Sequence, residues 1–500
     1  MPALLGRRYN DGPARELRGH LYRPVTFADF QTNLLLRILS LAAGLLCLAI
    51  TATAQISPRE RQLDSLFAAE FNAGAFYGNV LIAENGKILY QRSFGLSDKT
   101  KVVSNEKSTV YELAGISKSF TAAAILLLKD KGKLGLDDLV SKHLTDFPYP
   151  GVTIRQLMQH TSGLPQYTDI LSHDWQKGKC ATNADLLTLL KTGKYPATAK
   201  PGERYEYNNM GYALLPLVIE KLSGKSYADF LQQNIFSPLG LSSMTVYSRR
   251  CKPRKLANYA YGYVFSERYN KYISPDDDSS SKNTVRTLDG IAGQGRVHGN
   301  IGDVYKWDRA LAAGRLLSAA SLKEMFTPGK LNNGKDIKDG LGWALNTNKT
   351  YGRIQNEGSS WLGYTAFIER QPDHDKTIIL LQNISTNLDA IKAARRILYA
   401  QAGGQVYRKP VAVSAENLQR CAGEYEISKG YVINITVAGN GLEAKATGQR
   451  AFGLAAESDT KFYSPNVPNL AVYFMKDKGG AVSGLRMVQD GKATNAKKTK

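Results

Sequence analysis

The chain has 500 residues, 43% of them hydrophobic and 22% charged, a balance that excludes a disordered or fibrous protein and gives length enough for two or three domains. Its formal charge is +21, yet the lysines are dispersed and no basic helix with interleaved aromatics occurs, so nucleic acid is excluded as a partner and attraction to anionic cell-envelope polymers is expected. The four cysteines form no Cys-x-x-Cys pair and do not cluster with histidine, so neither a metal nor another cofactor is indicated.

In chain order, the first feature is an apolar run from Ile38 to Thr51 that follows Arg37 and ends in Ala52-Thr53-Ala54. That is the small-x-small pattern of a cleaved signal peptide, so residues 1–54 read as a signal peptide with a basic lead, and the mature chain is expected to begin near Gln55. The run is shorter than the roughly 20 apolar residues of a membrane span, so no stable span is expected after cleavage. The expected location is exported, either periplasmic or extracellular. The lead carries six arginines against Asp11, Glu16 and Asp29, a net +3, which leaves +18 on the mature chain. Cleavage would remove Cys47 and leave Cys180, Cys251 and Cys421. An oxidising compartment allows one disulfide, Cys180 to Cys251 being one candidate, although spacing alone does not choose the pair.

Val80 to Ala83 and Lys87 to Gln91 are short apolar runs around Asn85-Gly86, the strongest short hairpin signal. From Ile116 the spacing becomes helical, with Ile116, Phe120, Ala123, Ala124 and Leu127 on one stripe and an end near Gly132. Thr153 and Gln156 form a capping-box pair that starts a second helix, which should stop by Gly163 and Pro165. Further helices fit Asp185 to Lys191, Tyr212 to Leu222 with a kink at Pro216, and Tyr227 to Gln233. Strands return at Thr365 to Glu369 and Thr377 to Leu381. Strands, helices and strands again make an α+β layout. Residues 402–414 read as a linker, with a boundary near residue 408. The alternating segments Tyr431 to Val437, Phe462 to Pro465 and Ala471 to Phe474 predict a small all-β domain over 408–491, without a helix, and 492–500 read as a disordered basic tail. Asp276-Asp277-Asp278 reads as solvated loop, His160 as part of a structural turn, and His298 as a loop residue.

Four stretches carry a resemblance. Tyr111 to Ile125, reading YELAGISKSFTAAAI, continues through Lys133 to Asp138. Leu157 to Pro165 reads LMQHTSGLP and Pro201 to Tyr212 reads PGERYEYNNMGY; Asp303 to Asp308 and Trp361 to Tyr364 add further landmarks. Together, over roughly residues 60–400, they resemble the serine β-lactamase (class C), penicillin-binding protein and esterase superfamily. The resemblance implies a β-lactamase/transpeptidase-like antiparallel sheet flanked by helices, with a helical subdomain, over residues 55–407, and an appended small C-terminal β domain.

The chemistry of that family needs a serine at a helix start and a lysine one turn later, since residues three apart share a face and the amine can take the hydroxyl proton. Lys118 holds the lysine position, but Gly115 stands where the nucleophile belongs and has no hydroxyl. Ser117 and Ser119 are not substitutes: at about 100° per residue, Ser117 is turned far from position 115. The family's Tyr-x-Asn element is intact as Tyr207 and Asn209. Its third element, a Lys or His two residues before glycine on a strand edge, aligns with Asn356 and Gly358, and no His or Lys lies between Ile354 and Tyr364. Two altered elements imply a catalytically impaired pseudoenzyme that binds a small-molecule or peptide ligand, an ester or a β-lactam-like compound in the cleft. Two alternatives stay open: a working hydrolase in which Lys118 and Tyr207 activate water, and a non-catalytic envelope scaffold.

Overall fold

A computed structural model describes residues 57–500 except 267, 387, 400–410, 449–450, 465–469 and 490–491. The expected signal peptide with its cleavage point before Gln55, Cys47, and most of the linker with its boundary near 408 lie outside the described residues.

Helix α1 (Pro58–Asn72) precedes strands β1 (Gly78–Glu84) and β2 (Lys87–Phe94). The two strands are joined by Asn85-Gly86, both residues at positive φ (51° and 71°), as a two-residue hairpin requires. Four later strands, β3 (Ala344–Asn348), β4 (Gly352–Trp361), β5 (Tyr364–Gln371) and β6 (Lys376–Gln382), complete a six-stranded sheet in the order β3-β4-β5-β6-β1-β2. Every neighbouring pair is antiparallel.

The central strands are apolar on both faces because both are covered. Val80 and Ile82 of β1 and Ile378 and Leu380 of β6 pack with Leu63, Phe67 and Ile397. Leu81, Ala83, Ile379 and Leu381, one residue out of phase, join the core of the opposite face with Phe120 and Ala123. The period of two thus sorts each strand between two layers. The first layer is α1 with the C-terminal helix of the domain, Asp389–Leu398. The second is built on α2 (Ser117–Asp130), in which Ser117 through Leu128 are all buried. A stripe is what the sequence predicts there; burial on every face follows because the helical subdomain closes over the side turned away from the sheet. On the sheet side, Phe120 stacks on Trp307 with ring centroids 4.6 Å apart.

The subdomain contains α3 (Ile154–Met158), started by the expected reciprocal Thr153/Gln156 capping box, and α4 (Asn183–Lys191). The next helix, α5 (Asn209–Ser223), runs through Pro216 and ends at Gly224 in the left-handed conformation. Asn208 caps its start by accepting from the Met210 N–H at 2.8 Å. A small sheet pairs Val297–Gly299 with Tyr111–Glu112 on one side and Thr245–Val246 on the other, so His298 is a buried strand residue and not a loop one. Asp276 is likewise held in place, by ion pairs to Arg249 and Arg250.

A separate core belongs to the C-terminal domain. Its strands, β7 (Gly423–Ser428), β8 (Tyr431–Ala438), β9 (Gly441–Ala446), β10 (Phe452–Ala456), β11 (Lys461–Tyr463), β12 (Leu470–Lys476), β13 (Val482–Gln489) and β14 (Lys492–Lys498), form a closed barrel. Tyr425, Ile433, Phe462, Phe474 and Leu485 fill it. The sequence reading needs two corrections here. A helix, Ala415–Cys421, precedes the barrel, capped by Ser414. The lysine-rich end is not a disordered tail: it pairs with β13 along its length and with β7 through Tyr425↔Lys498 and Glu426↔Lys497, which closes the ring. Ladder hydrogen bonds are made by backbone, so lysines on the outer face do not oppose them, and Ala496 turns inward to the core.

Cys180 and Cys251 form a disulfide across 71 positions, and Cys421 is a buried free thiol. Closing a loop of that length removes chain entropy worth about 4 kcal/mol from the unfolded state. Cys180→Ser is therefore expected to lower the thermal midpoint, measured by circular dichroism, and reductant should lower the wild-type midpoint but not the variant's. Equal midpoints for all samples would contradict the assignment.

Candidate functional site

Gly115 lies in a single 3₁₀ turn, Ala114–Ile116, that leads into α2. Ala114 takes a positive φ of 42°, a strained conformation for a residue with a side chain and one that persists only where the surroundings hold it. The turn directs the Gly115 N–H at β4, where it donates to Ser359 Oγ at 2.9 Å.

Lys118, one turn on, is 1% exposed, and its Nζ lies 3.2 Å from Glu357 Oε1. The same oxygen accepts from the Gly358 N–H at 3.1 Å. A Cβ added to Gly115 would stand 2.7 Å from Glu357 Oε1, 3.0 Å from Ser359 Oγ and 3.1 Å from the Gly358 carbonyl carbon. The nearest of these atoms is the tip of a flexible side chain, so a side chain at residue 115 would require only that the Glu357 carboxylate shift. The space beside Gly115 is thus filled by the Glu357 carboxylate.

β4 decides which side chains reach this place. Its register with β5 is regular from Gln355↔Arg370 to Trp361↔Tyr364, so Glu357, Ser359 and Trp361 share one face and Asn356 and Ser360 the other. Ser360 turns to Thr365, with the two hydroxyls 2.7 Å apart. Asn356, read from sequence as the third-element residue, therefore lies on the face opposite Gly115 and Lys118. The residue presented to Lys118 is Glu357, which the sequence reading missed; the signal was an acidic side chain in a stretch where a cation is expected. Gly358 has its own reason to be glycine: a Cβ there would meet the Ala366 carbonyl oxygen at 2.3 Å.

The Tyr-x-Asn element arrives from the loop before α5. Lys118 Nζ is 5.3 Å from the centre of the Tyr207 ring, and the Tyr207 hydroxyl donates to Asn209 Oδ1 at 3.2 Å. Lys118, Tyr207, Asn209 and the Gly115 turn are accordingly brought together. His160 packs its ring 4.6 Å from that of Tyr207, and Tyr205 hydrogen-bonds the Asp339 carboxyl. Ser117 and Ser119 have structural work only. Ser117 Oγ accepts from the Val297 N–H at 3.2 Å, while Ser119 Oγ donates to the Ile116 carbonyl at 2.7 Å and accepts from Trp307 Nε1 at 3.1 Å.

The electrostatics follow from burial and pairing. Burial alone would depress the Lys118 amine, but the charges and hydrogen bonds of Glu357 and Tyr207 outweigh it and hold the group as an ammonium, above its ordinary value. Burial lifts the Glu357 carboxyl, and Lys118 together with the Gly358 N–H draws it back only in part. His160 is pushed down to about 3 by burial and by the Lys118 charge, against its hydrogen bond to Asn208. Nearby Arg296 is buried between Glu112 (2.8 Å) and Asp289 (3.5 Å) and stacks over Trp361 at 5.3 Å.

A lysine one turn into a buried helix, a Tyr-x-Asn loop and the edge of an antiparallel sheet define the fold and cleft of the serine β-lactamases and penicillin-binding proteins. The chain belongs to the beta-lactamase family, whose sequence model matches residues 63–402. It is 36% identical to Penicillin-binding protein 4* of Bacillus subtilis (strain 168) over 88% of this chain and 99% of that protein. Among solved structures, the octameric penicillin-binding protein homologue from Pyrococcus abyssi superposes with a TM-score of 0.61 at 22% identity, covering 87% of this chain and 99% of that one. D-amino acid amidase from Ochrobactrum anthropi gives 0.56 at 21%, covering 67% and 98%. Likeness at those identities speaks to the fold alone.

His298, like His160, is pushed down to about 3, chiefly by burial. Both ordinarily titrate near 6.5. The folded state therefore binds fewer protons than the unfolded one between those values, and stability present above about pH 6.5 is lost as pH falls, by about 1.4 kcal/mol per pH unit per histidine. Urea unfolding from pH 7 to pH 4 should show this slope, and His298→Gln should remove about one histidine's share. An unchanged slope in the variant would contradict the burial of a neutral imidazole.

Proposed function

We propose that this protein is an exported member of the beta-lactamase family that binds a peptide, ester or β-lactam-like ligand in its cleft without forming an acyl-enzyme. The observation that carries the reading is the buried ion pair of Lys118 with Glu357 beside a residue 115 that has no side chain. No hydroxyl is available at position 115, and Lys118, which would take the proton of such a hydroxyl, is already an ammonium paired with Glu357 at 3.2 Å. The Gly115 N–H, a donor that acyl transfer would aim at the developing oxyanion, is engaged by Ser359 Oγ. Nucleophile, base and oxyanion donor are each absent or occupied. Loss of the nucleophile alone ordinarily costs orders of magnitude in rate.

The same ion pair speaks against Lys118 and Tyr207 activating a water, since a protonated amine cannot serve as a general base. Export rests on the N-terminal apolar run with its small-x-small end and is supported by bacterial penicillin-binding relatives.

The test is covalent labelling by a fluorescent penicillin together with turnover of a nitrophenyl ester. Wild type is expected to take no label and to match Lys118→Ala in slow ester hydrolysis. Gly115→Ser alone should stay near background because Glu357 still pairs with Lys118 and holds it charged, whereas Gly115→Ser with Glu357→Ala should gain label. Labelled wild type, or full turnover from Gly115→Ser alone, would overturn the reading.

A further inference from the structure

The groups that would hold an anion in this cleft are already satisfied from within the chain. The Lys118 ammonium and the Gly358 N–H both donate to Glu357 Oε1, and the Gly115 N–H donates to Ser359 Oγ. A carboxylate ligand would have to displace both side chains. It would also meet two resident carboxyls, Glu357 and Asp339, against the single charge of Lys118. Of the other cations close by, Arg296 is paired with Glu112 and Asp289 and Arg204 with Glu206 at 2.8 Å, while Lys338, the chain neighbour of Asp339, is exposed. His160, pushed down to about 3, adds no charge at neutral pH.

What the cleft does expose is aromatic and acidic. Tyr205 and Tyr207 are 40% and 45% exposed, unusual for rings beside a fully buried lysine. Asp339 is part-buried beside Tyr205; burial lifts its carboxyl, and Tyr205 with the Lys118 charge draws it back in part. Ring faces and a carboxylate without a dedicated counter-cation are the ingredients of ammonium recognition. On a chain of net charge +21, a locally acidic cleft of this kind does not follow from composition.

We propose that the cleft at Lys118 takes ligands presenting an ammonium group to Asp339 and the rings of Tyr205 and Tyr207, and turns away those presenting a carboxylate. The proposal rests on the non-acylating reading and names the ligand class of the same site. Glycine at 115 removes acyl chemistry there, while Glu357 and Ser359 occupy the anion-binding donors. A peptide amide with a free amino terminus fits this site; an N-blocked peptide acid does not.

The experiment is isothermal titration of the full chain with two probes of matched size, Ala-Ala amide and N-acetyl-Ala-Ala. The amide is expected to bind at least about tenfold more tightly than the acid, the scale of one charge-assisted hydrogen bond. Asp339→Asn should cost the amide about tenfold and leave the acid unaffected. Glu357→Gln should shrink or invert the preference, because Lys118 then lacks its counter-charge. Equal or tighter binding of the acid to wild type, no binding of either probe, or an unaltered Asp339→Asn would overturn the proposal. A covalent benzylpenicillin adduct seen by mass spectrometry would instead overturn the non-acylating reading, whichever probe binds.

Discussion

The buried ion pair between Lys118 and Glu357 is the interaction on which the cleft depends. Two charges 3.2 Å apart, one fully enclosed and the other nearly so, are stable only as a pair. Desolvation makes each costly alone, and removing one partner of such a pair costs about 3–5 kcal/mol. Each residue therefore constrains the other. Lys118 needs a counter-charge within reach of a helix position sealed on all sides, and Glu357, whose carboxylate tip lies beside residue 115, supplies it.

The scaffold explains why the arrangement is held rigidly. α2 lies between the sheet and the helical subdomain, buried from Ser117 to Leu128, so the Lys118 backbone has no room to shift. β4 is tied to β5 in regular register, and a residue at 358 larger than glycine would strike the β5 backbone. The distance between helix start and strand is thus set by packing, and the side chains fill the gap between two fixed surfaces. The same frame in a member with serine and a cationic third element would hold a reactive hydroxyl there. Here it holds a carboxylate and the hydroxyl of Ser359.

Much of this was legible in sequence because it is local. Asn85-Gly86 specified its hairpin, Thr153 and Gln156 their capping box, and Gly224 its helix end, each through chemistry within four residues. Gly115 and Lys118 were legible through a motif of the same short range. Glu357 was not: its partner is 239 positions away, and its meaning depends on which face of β4 turns to the helix, a parity that one residue of misalignment reverses. The sequence alone points to Asn356 for that reason. The C-terminal strand was lost differently, since its lysines suggested solvent while its pairing is made by backbone, and ring closure with β7 joins segments about 70 positions apart, beyond any local signal.

The most direct measurement of the central claim is the titration of the Lys118 side chain by NMR in lysine-labelled protein, with Lys118→Arg to assign the signal. An ammonium that persists to above about pH 10 in wild type, and titrates at lower pH in Glu357→Gln, is the result expected of a lysine held by Glu357. A neutral amine near pH 7, or a titration indifferent to Glu357→Gln, would contradict the account and return Lys118 to the role of a base.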